Sequence, residues 1–257
     1  MKGTLYLVPN TLDFGVVPPG ADVGAMPDLQ DVLPLGVIRI AARLPCWVAE
    51  NAKTTRAFLK RVNEVVPLSQ ALQAIAIIEL PRANKGVPRA PTPPLNALLA
   101  PALAGQDIGL ISEAGLPAVA DPGAALVQAA HAMKLRVQAL SGPSSLILAL
   151  AASGLNGQSF AFVGYLPVDA AARATRIREL EALSRRAQQT QLMIETPYRN
   201  AALLAALLGA LSGATRLSVS CALTLAPGWS RTDTVADWKA EPTSIPIDTP
   251  AVFCFLA

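Results

Sequence analysis

Short apolar runs recur along the chain, with longer stretches between them whose apolar positions follow helical spacing. The runs Leu5 to Val8, Val37 to Ala41, Ile108 to Ser112, Val137 to Leu140, Phe160 to Gly164, Gln191 to Glu195, Leu217 to Ala222 and Ala251 to Leu256 read as strands. Helices are predicted over Thr54 to Asn63, Gly123 to Met133, Ser144 to Ser153, Ala172 to Arg186 and Asn200 to Leu211. Alternation of this kind builds βαβ units, so an α/β protein with a largely parallel sheet in its first half is expected. The parallel-type units end at Gly154-Leu155-Asn156-Gly157, which places a boundary between 1–155 and 156–257, and the later strands form a second sheet. Two stretches resist the pattern. Asn10 to Leu35 is rich in Pro, Gly and Asp, and Glu79 to Pro94 strings prolines among Arg82, Lys85 and Arg89; both read as loops at the mouth of a site.

Composition narrows the classes. The chain of 257 residues is 52% hydrophobic and 15% charged, enough apolar material for a core and too little charge for a disordered chain. Its longest apolar stretches, Ser145 to Ala152 and Ala201 to Leu211, fall short of the roughly 20 residues that span a bilayer as a helix. Leu5 to Val8 is too brief for a signal peptide and is broken by Pro9-Asn10, so a cytoplasmic protein without membrane association is expected. Cys46, Cys221 and Cys254 are odd in number and far apart, which fits reduced, buried thiols and neither disulfides nor a metal knuckle. A net charge of +3 permits a nucleic-acid substrate without holding one by electrostatics alone. His131 is the only histidine, so Ser-His-Asp triads and multi-histidine metal sites are excluded, and no metal is expected. Within its helix, His131 reads as a surface residue.

Two passages carry chemistry. In Ile108 to Gly123 an apolar strand runs into a loop holding Gly115, Pro117, Pro122 and Gly123, with Asp121 as the N-cap of the next helix. Strand-end loops of open α/β sheets are where ligands bind; glycine admits a ligand close to the backbone, and Glu113 is an acceptor for an amine or hydroxyl. Leu140 to Leu146 repeats the scheme, with Ser144 or Ser145 available to cap a helix whose first N–H groups suit a carboxylate. On physics alone the first loop marks a site and does not name its ligand; two such loops on one edge would form a crevice suited to a charged, nucleoside-sized molecule.

The order SEAGLPAVADPG, VQALSGPSSLILALAASGL and FAFVGYLP resembles the core signature of the ribosomal RNA small-subunit methyltransferase I family within the tetrapyrrole methylases. Gly3-Thr-Leu-Tyr6, Glu50-Asn-Ala-Lys-Thr-Thr-Arg56 and Glu195-Thr-Pro-Tyr-Arg199 resemble flanking family motifs in the same order. The resemblance implies a two-lobed, homodimeric α/β enzyme, with a parallel N-terminal sheet, a mixed C-terminal sheet and S-adenosylmethionine held in the cleft between. By position, donor contacts would fall on Pro9, on Ser112, Glu113, Ala114, Gly115 and Leu116, and on Ser144, Ser145 and Leu146. The adenosine would meet Ile194, Ala222, and Pro250 and Ala251 within Thr249 to Val252. The chain departs from the family where it reads Pro9-Asn-Thr-Leu-Asp-Phe14 in place of Pro-Ile-Gly-Asn-Leu, where Glu113 replaces an Asp, and where Asn51 stands at a position commonly acidic.

Methyl transfer from a sulfonium needs alignment and exclusion of water more than imidazole. Glu50, Glu79 and Glu113, with Lys53, are the candidates to take a proton from an alcohol acceptor. Lys53, Arg56, Arg82, Lys85, Arg89 and Arg199 are expected near the cleft mouth, in reach of RNA phosphates. Arg173, Arg176, Arg178, Arg185 and Arg186, beside Glu179 and Glu181, read as one solvated helix face. Three functions stay open: ribose methylation of small-subunit ribosomal RNA, methylation of a tetrapyrrole or other small metabolite, and donor binding without turnover.

Overall fold

In the first half of the chain the apolar runs do become a parallel sheet, but not every run is a strand. The computed structural model describes residues 1–13, 28–81 and 94–257. It divides into two units, Met1–Pro143 and Ser144–Ala257. The first contains β1 (Thr4–Leu7), α1 (Leu35–Arg43), β2 (Cys46–Ala49), α2 (Ala52–Val65), β3 (Ala76–Glu79), α3 (Leu95–Leu98), α4 (Ala100–Leu103), β4 (Ile108–Ile111), α5 (Ala124–Ala132) and β5 (Arg136–Ala139). Its strands lie in the order β3-β2-β4-β1-β5, every neighbouring pair parallel.

Period-2 alternation sends successive side chains to opposite faces of this sheet. Tyr6, Trp47 and Ala49 pack with α1 and α2 through Val37, Ile38, Phe58 and Leu59. Leu5, Cys46 and Val48 pack on the other face with Leu98, Ala102, Leu126 and Ala130 of α3, α4 and α5. Gly109 is required because a Cβ there would lie 2.6 Å from the Trp47 ring.

The expected strand Val37 to Ala41 is helical. Its buried positions are Val37, Ile38, Ala41 and Ala42, with Arg39 and Arg43 exposed, so the run has helical period; Pro34 sits just before its first turn. The strands of this region are β2, buried at all positions, and β3, neither of which is among the expected runs. Asp121 does not cap α5: Gly123 holds the N-cap place at φ +132, and α5 starts at Ala124. Residues 14–27 of the first expected loop and 82–93 of the second, with Arg82, Lys85 and Arg89, lie outside the described residues.

The second unit contains α6 (Ser145–Ser153), β6 (Phe160–Phe162), α7 (Ala170–Ala187), β7 (Thr190–Ile194), α8 (Asn200–Ala210), β8 (Arg216–Cys221), β9 (Trp229–Thr234), α9 (Val235–Ala240) and β10 (Ala251–Leu256). Its sheet is mixed, in the order β6-β7-β10-β8-β9, with β6 parallel to β7 and the other neighbours antiparallel. The division falls at Pro143/Ser144, against the expected 155/156, because Leu146, Ala149 and Leu150 of α6 pack on Leu192, Val252 and Cys254 of this sheet. The opposite face carries α7, α8 and α9 around Phe253, Phe255 and Trp238. All three cysteines are free and buried, and burial pushes the thiol of Cys254 up to about 12, so these groups serve the core. Among the described residues no helix is long and apolar enough to cross a membrane.

Candidate functional site

After β1 and β2 the chain turns toward α1 and α2 on one face; after β3 and β4 it turns toward α3, α4 and α5 on the other. β4 lies between β2 and β1, so on both sides of it neighbouring loops depart to opposite faces. In open α/β sheets, a divergence of this kind at the carboxyl ends of parallel strands is where ligands bind.

The loop after β4 is tied to the loops on each side. Asn10, following β1, forms a two-way backbone bridge with Gly115, its N–H donating to Gly115 O at 2.9 Å and its carbonyl accepting from Gly115 N at 3.2 Å. The Asn10 side-chain Nδ2 donates to Ser112 O at 3.1 Å and to Glu113 O at 3.0 Å. From the β2 side, Glu50 Oε2 accepts from Glu113 N at 3.0 Å, and Asn51 Nδ2 donates to Glu113 Oε1 at 3.0 Å. Asn51 also caps α2, its Oδ1 accepting from Lys53 N at 2.9 Å. The loop after β5 joins the group through Gly142, where a Cβ would lie 2.3 Å from Pro9. Gly115, at φ +67, occupies the left-handed region that glycine tolerates.

Carboxylates concentrate here. Glu79 Oε1 accepts from Ala52 N at 2.8 Å, so Glu50, Glu79 and Glu113 all meet at the start of α2. Glu79 is exposed and engaged in capping the helix. Desolvation first, then the charges of Glu50 and Glu113, push Asp121 up to about 6 against a hydrogen bond from Ser112 that lowers it. The local field is negative, which suits a cationic sulfonium or ammonium. Lys53 and Arg56 are exposed on the first turns of α2.

In the second unit the sequence-predicted residues also gather, on the edge formed by the ends of β7 and β8 and the start of β10. Ala222 N donates to Pro250 O at 3.2 Å, Ala251 pairs with Cys221, and Val252 pairs with Ile194. Leu146 packs in the same cluster as Ile194 and Leu223. Ala222 is held at φ +49. Ser144 takes the N-cap place of α6 but makes no side-chain cap bond, and Ser145 is the first helical residue. Arg199 is committed to Glu195 at 2.6 Å and is not a free basic group.

Structure thus brings Pro9, Glu50, Ser112, Glu113, Ala114, Gly115 and Leu116 together in one unit, and Ser144, Ser145, Leu146, Ile194, Ala222, Pro250 and Ala251 in the other. Sequence reasoning missed Asn10, Asn51, Asp121 and Asn200 as site residues. Asn200, 1% exposed, donates through Nδ2 to Thr249 O at 2.9 Å, while its Oδ1 is buried without a partner among the described residues. Asn10 had a usable signal: an asparagine in the loop just past a strand is a residue whose amide bonds nearby backbone.

No family model matches the chain. Solved structures nevertheless match nearly all of it: a uroporphyrin III C-methyltransferase from Thermus thermophilus aligns at TM-score 0.53 and 14% identity, covering 99% of this chain and 97% of that one. A uroporphyrin-III-C-methyltransferase structure from the same organism aligns at TM-score 0.50 and 17% identity, covering 100% and 93%. These two likenesses show the fold: the chain shares the architecture of those methyltransferases. In sequence it is similar to proteins named Ribosomal RNA small subunit methyltransferase I. That of Mesorhizobium japonicum is 40% identical over 127 residues, 49% of this chain and 42% of that protein. That of Streptococcus pyogenes is 36% identical over 198 residues, 77% of this chain and 57% of that protein. The chain spans about 30 to 40% of the length of the first curated relatives it matches.

Proposed function

We propose that this protein is an S-adenosylmethionine-dependent methyltransferase whose acceptor is a ribose hydroxyl of small-subunit ribosomal RNA. The observation that carries this reading is the braced loop Ser112 to Gly115 at a sheet switch point, in a chain similar to methyltransferases of that name. When bound, S-adenosylmethionine supplies an electrophilic methyl group on a cationic sulfur. The donor set fits it: Glu50, Glu113 and Asp121 offset positive charge, and Gly115 leaves the loop backbone open to close approach.

What the chain's own residues contribute is placement and proton handling. Loops anchored to three strands hold a fixed shape, which supplies alignment before reaction. Glu50 and Glu113 are occupied as acceptors of a backbone N–H and an amide N–H, whereas Asp121, up at about 6, takes and releases a proton near neutral pH. Glu50 and Glu113 remain proton acceptors for the acceptor hydroxyl through their second oxygens. Lys53 and Arg56 supply exposed positive charge for phosphates beside this acidic floor. The resemblance also supports a homodimer working in the cytoplasm.

The test is transfer of isotope-labelled methyl groups from S-adenosylmethionine to small-subunit particles, to total RNA and to a metabolite extract. Label recovered in a 2′-O-methylated nucleoside is the expected result. Label confined to the metabolite fraction would move the acceptor to a small molecule. No label anywhere, together with no heat on titration with S-adenosylhomocysteine, would end the methyltransferase reading.

A further inference from the structure

The segment after β1 is where this chain departs from the pattern it resembles, and it is also where the candidate donor loop is anchored. We infer that Asn10 is a positioning residue that fixes the Ser112 to Gly115 turn in the shape that receives the methyl donor. The inference rests on the reading of that turn as the donor site.

Asn10 is 6% exposed and uses its whole hydrogen-bonding capacity on this task. Its backbone closes the bridge to Gly115, both Nδ2 hydrogens go to the carbonyls of Ser112 and Glu113, and Oδ1 accepts from Thr11 N at 2.9 Å. Two donors and one acceptor on so short a side chain belong to asparagine alone. A peptide unit is planar and trans, so holding a carbonyl toward Asn10 turns the N–H of the next residue away from it. The Ser112 carbonyl thereby sends the Glu113 N–H to Glu50. The Glu113 carbonyl sends the Ala114 N–H outward, and no acceptor for that N–H exists among the described residues. A half-buried, pre-aimed backbone donor of this kind suits the carboxylate of the methionine moiety.

Asn10 is in turn held from α2. Thr11 Oγ1 donates to Asp13 Oδ1 at 2.6 Å, and Arg61 Nη1 reaches Thr11 Oγ1 at 3.2 Å and Asp13 Oδ2 at 3.0 Å. Arg61 and Asp13 are nearly buried, with side-chain exposures of 12% and 5%. A buried ion pair restricts this segment to one arrangement, so the brace does not yield when the loop is loaded.

The experiment is titration calorimetry of the full chain with S-adenosylhomocysteine, comparing wild type, Asn10→Asp and Asn10→Ala. The carboxylate of Asn10→Asp faces two carbonyl oxygens with no donor. Its Kd is expected to rise at least roughly tenfold at pH 8, with the Asn10→Ala Kd rising less. On acidification to pH 5 the new carboxyl gains a proton and one donor, so Asn10→Asp recovers toward wild type measured at the same pH. Glu50, Glu113, Asp121 and Asp13 are the other acidic groups around this segment and are present in both proteins, so the two are compared at equal pH. A purely structural role would lower the melting temperature without such recovery. Both variants binding within twofold of wild type would overturn the inference; wild type failing to bind would instead overturn the donor-site reading beneath it. Should Asn10→Asp not fold, amide exchange in the wild type decides: Glu113 and Gly115 N–H groups are expected to be protected without ligand, and exchange at free-loop rates would refute the brace.

Discussion

The two units assemble candidate ligand-facing edges from different materials. In Met1–Pro143 all strands run the same way, so the loops after β1, β2, β4 and β5 leave one edge and their polar side chains interlock. In Ser144–Ala257 β10 runs against β7 and β8, so its edge combines two strand ends with a strand start, joined by backbone bonds and lined by Leu146, Ile194 and Leu223. A parallel sheet concentrates loop side chains, and with them charge, at one place. The mixed sheet gives a flatter, apolar wall with backbone donors and acceptors.

The largest effects separate the two cores. Trp238 is fully buried, donates from Nε1 to Leu217 O at 2.8 Å, and stacks beneath Arg231 at 4.1 Å. Trp238→Ala is expected to cost about 3–5 kcal/mol. Hydrogen exchange should show the loss in β8, β9 and β10, and equal loss of protection across β1 to β5 would show that the units do not differ in this way. In the first unit, Arg61→Met removes the ion-pair partner of the nearly buried Asp13. About 1–3 kcal/mol of stability should go with it, measured by urea unfolding, since a hydrogen-bonded ion pair at 3.0 Å is lost from a nearly buried carboxylate.

A smaller effect falls on the loop itself. Gly115→Val puts a β-branched residue at φ +67, a strain of about 1–3 kcal/mol. If that strain is relieved by displacing the turn, S-adenosylhomocysteine binding weakens roughly 5- to 150-fold; unchanged affinity would move the donor site away from this edge. The smallest concerns Asp121. Its folded pKa, up at about 6, lies above that of the unfolded chain, so the folded state binds the proton more tightly. Stability therefore falls as pH rises from about 4 to about 6, and the cost is absent below that window. Asp121→Asn should remove this slope and add about 1 kcal/mol at pH 7 after allowance for solvent screening. Thermal melts of both proteins at pH 4 and pH 7 check it, and a constant difference between them would refute the assignment.

How much of this was legible varied with the kind of signal. The ends of β10 were read to the residue, because Ala251 to Leu256 is a continuous apolar run buried throughout. α7, α8 and α6 were read within a residue or two. Val37 to Ala41 departs from expectation because a short run rich in β-branched residues satisfies strand composition while its burial follows helical period. β9 (Trp-Ser-Arg-Thr-Asp-Thr) went unseen because an edge strand paired to one neighbour needs no apolar alternation. Glu50 and Glu113 were visible as acids. Asn10 was not seen as a partner of Ser112, Glu113 and Gly115, about a hundred residues away in the chain.

Sequence by itself determined that the chain is an α/β protein, which runs enter its sheets for the most part, and which family its central motifs resemble; these depend on local periodicity and turn chemistry, which short windows contain. Only the tertiary structure decided the strand order β3-β2-β4-β1-β5, the assignment of α6 to the second unit, and the meeting of Asn10, Glu50, Asn51 and Asp121 around one loop. Those outcomes depend on contacts between residues far apart in the chain, whose partners are selected by packing and by the need to satisfy buried polar groups.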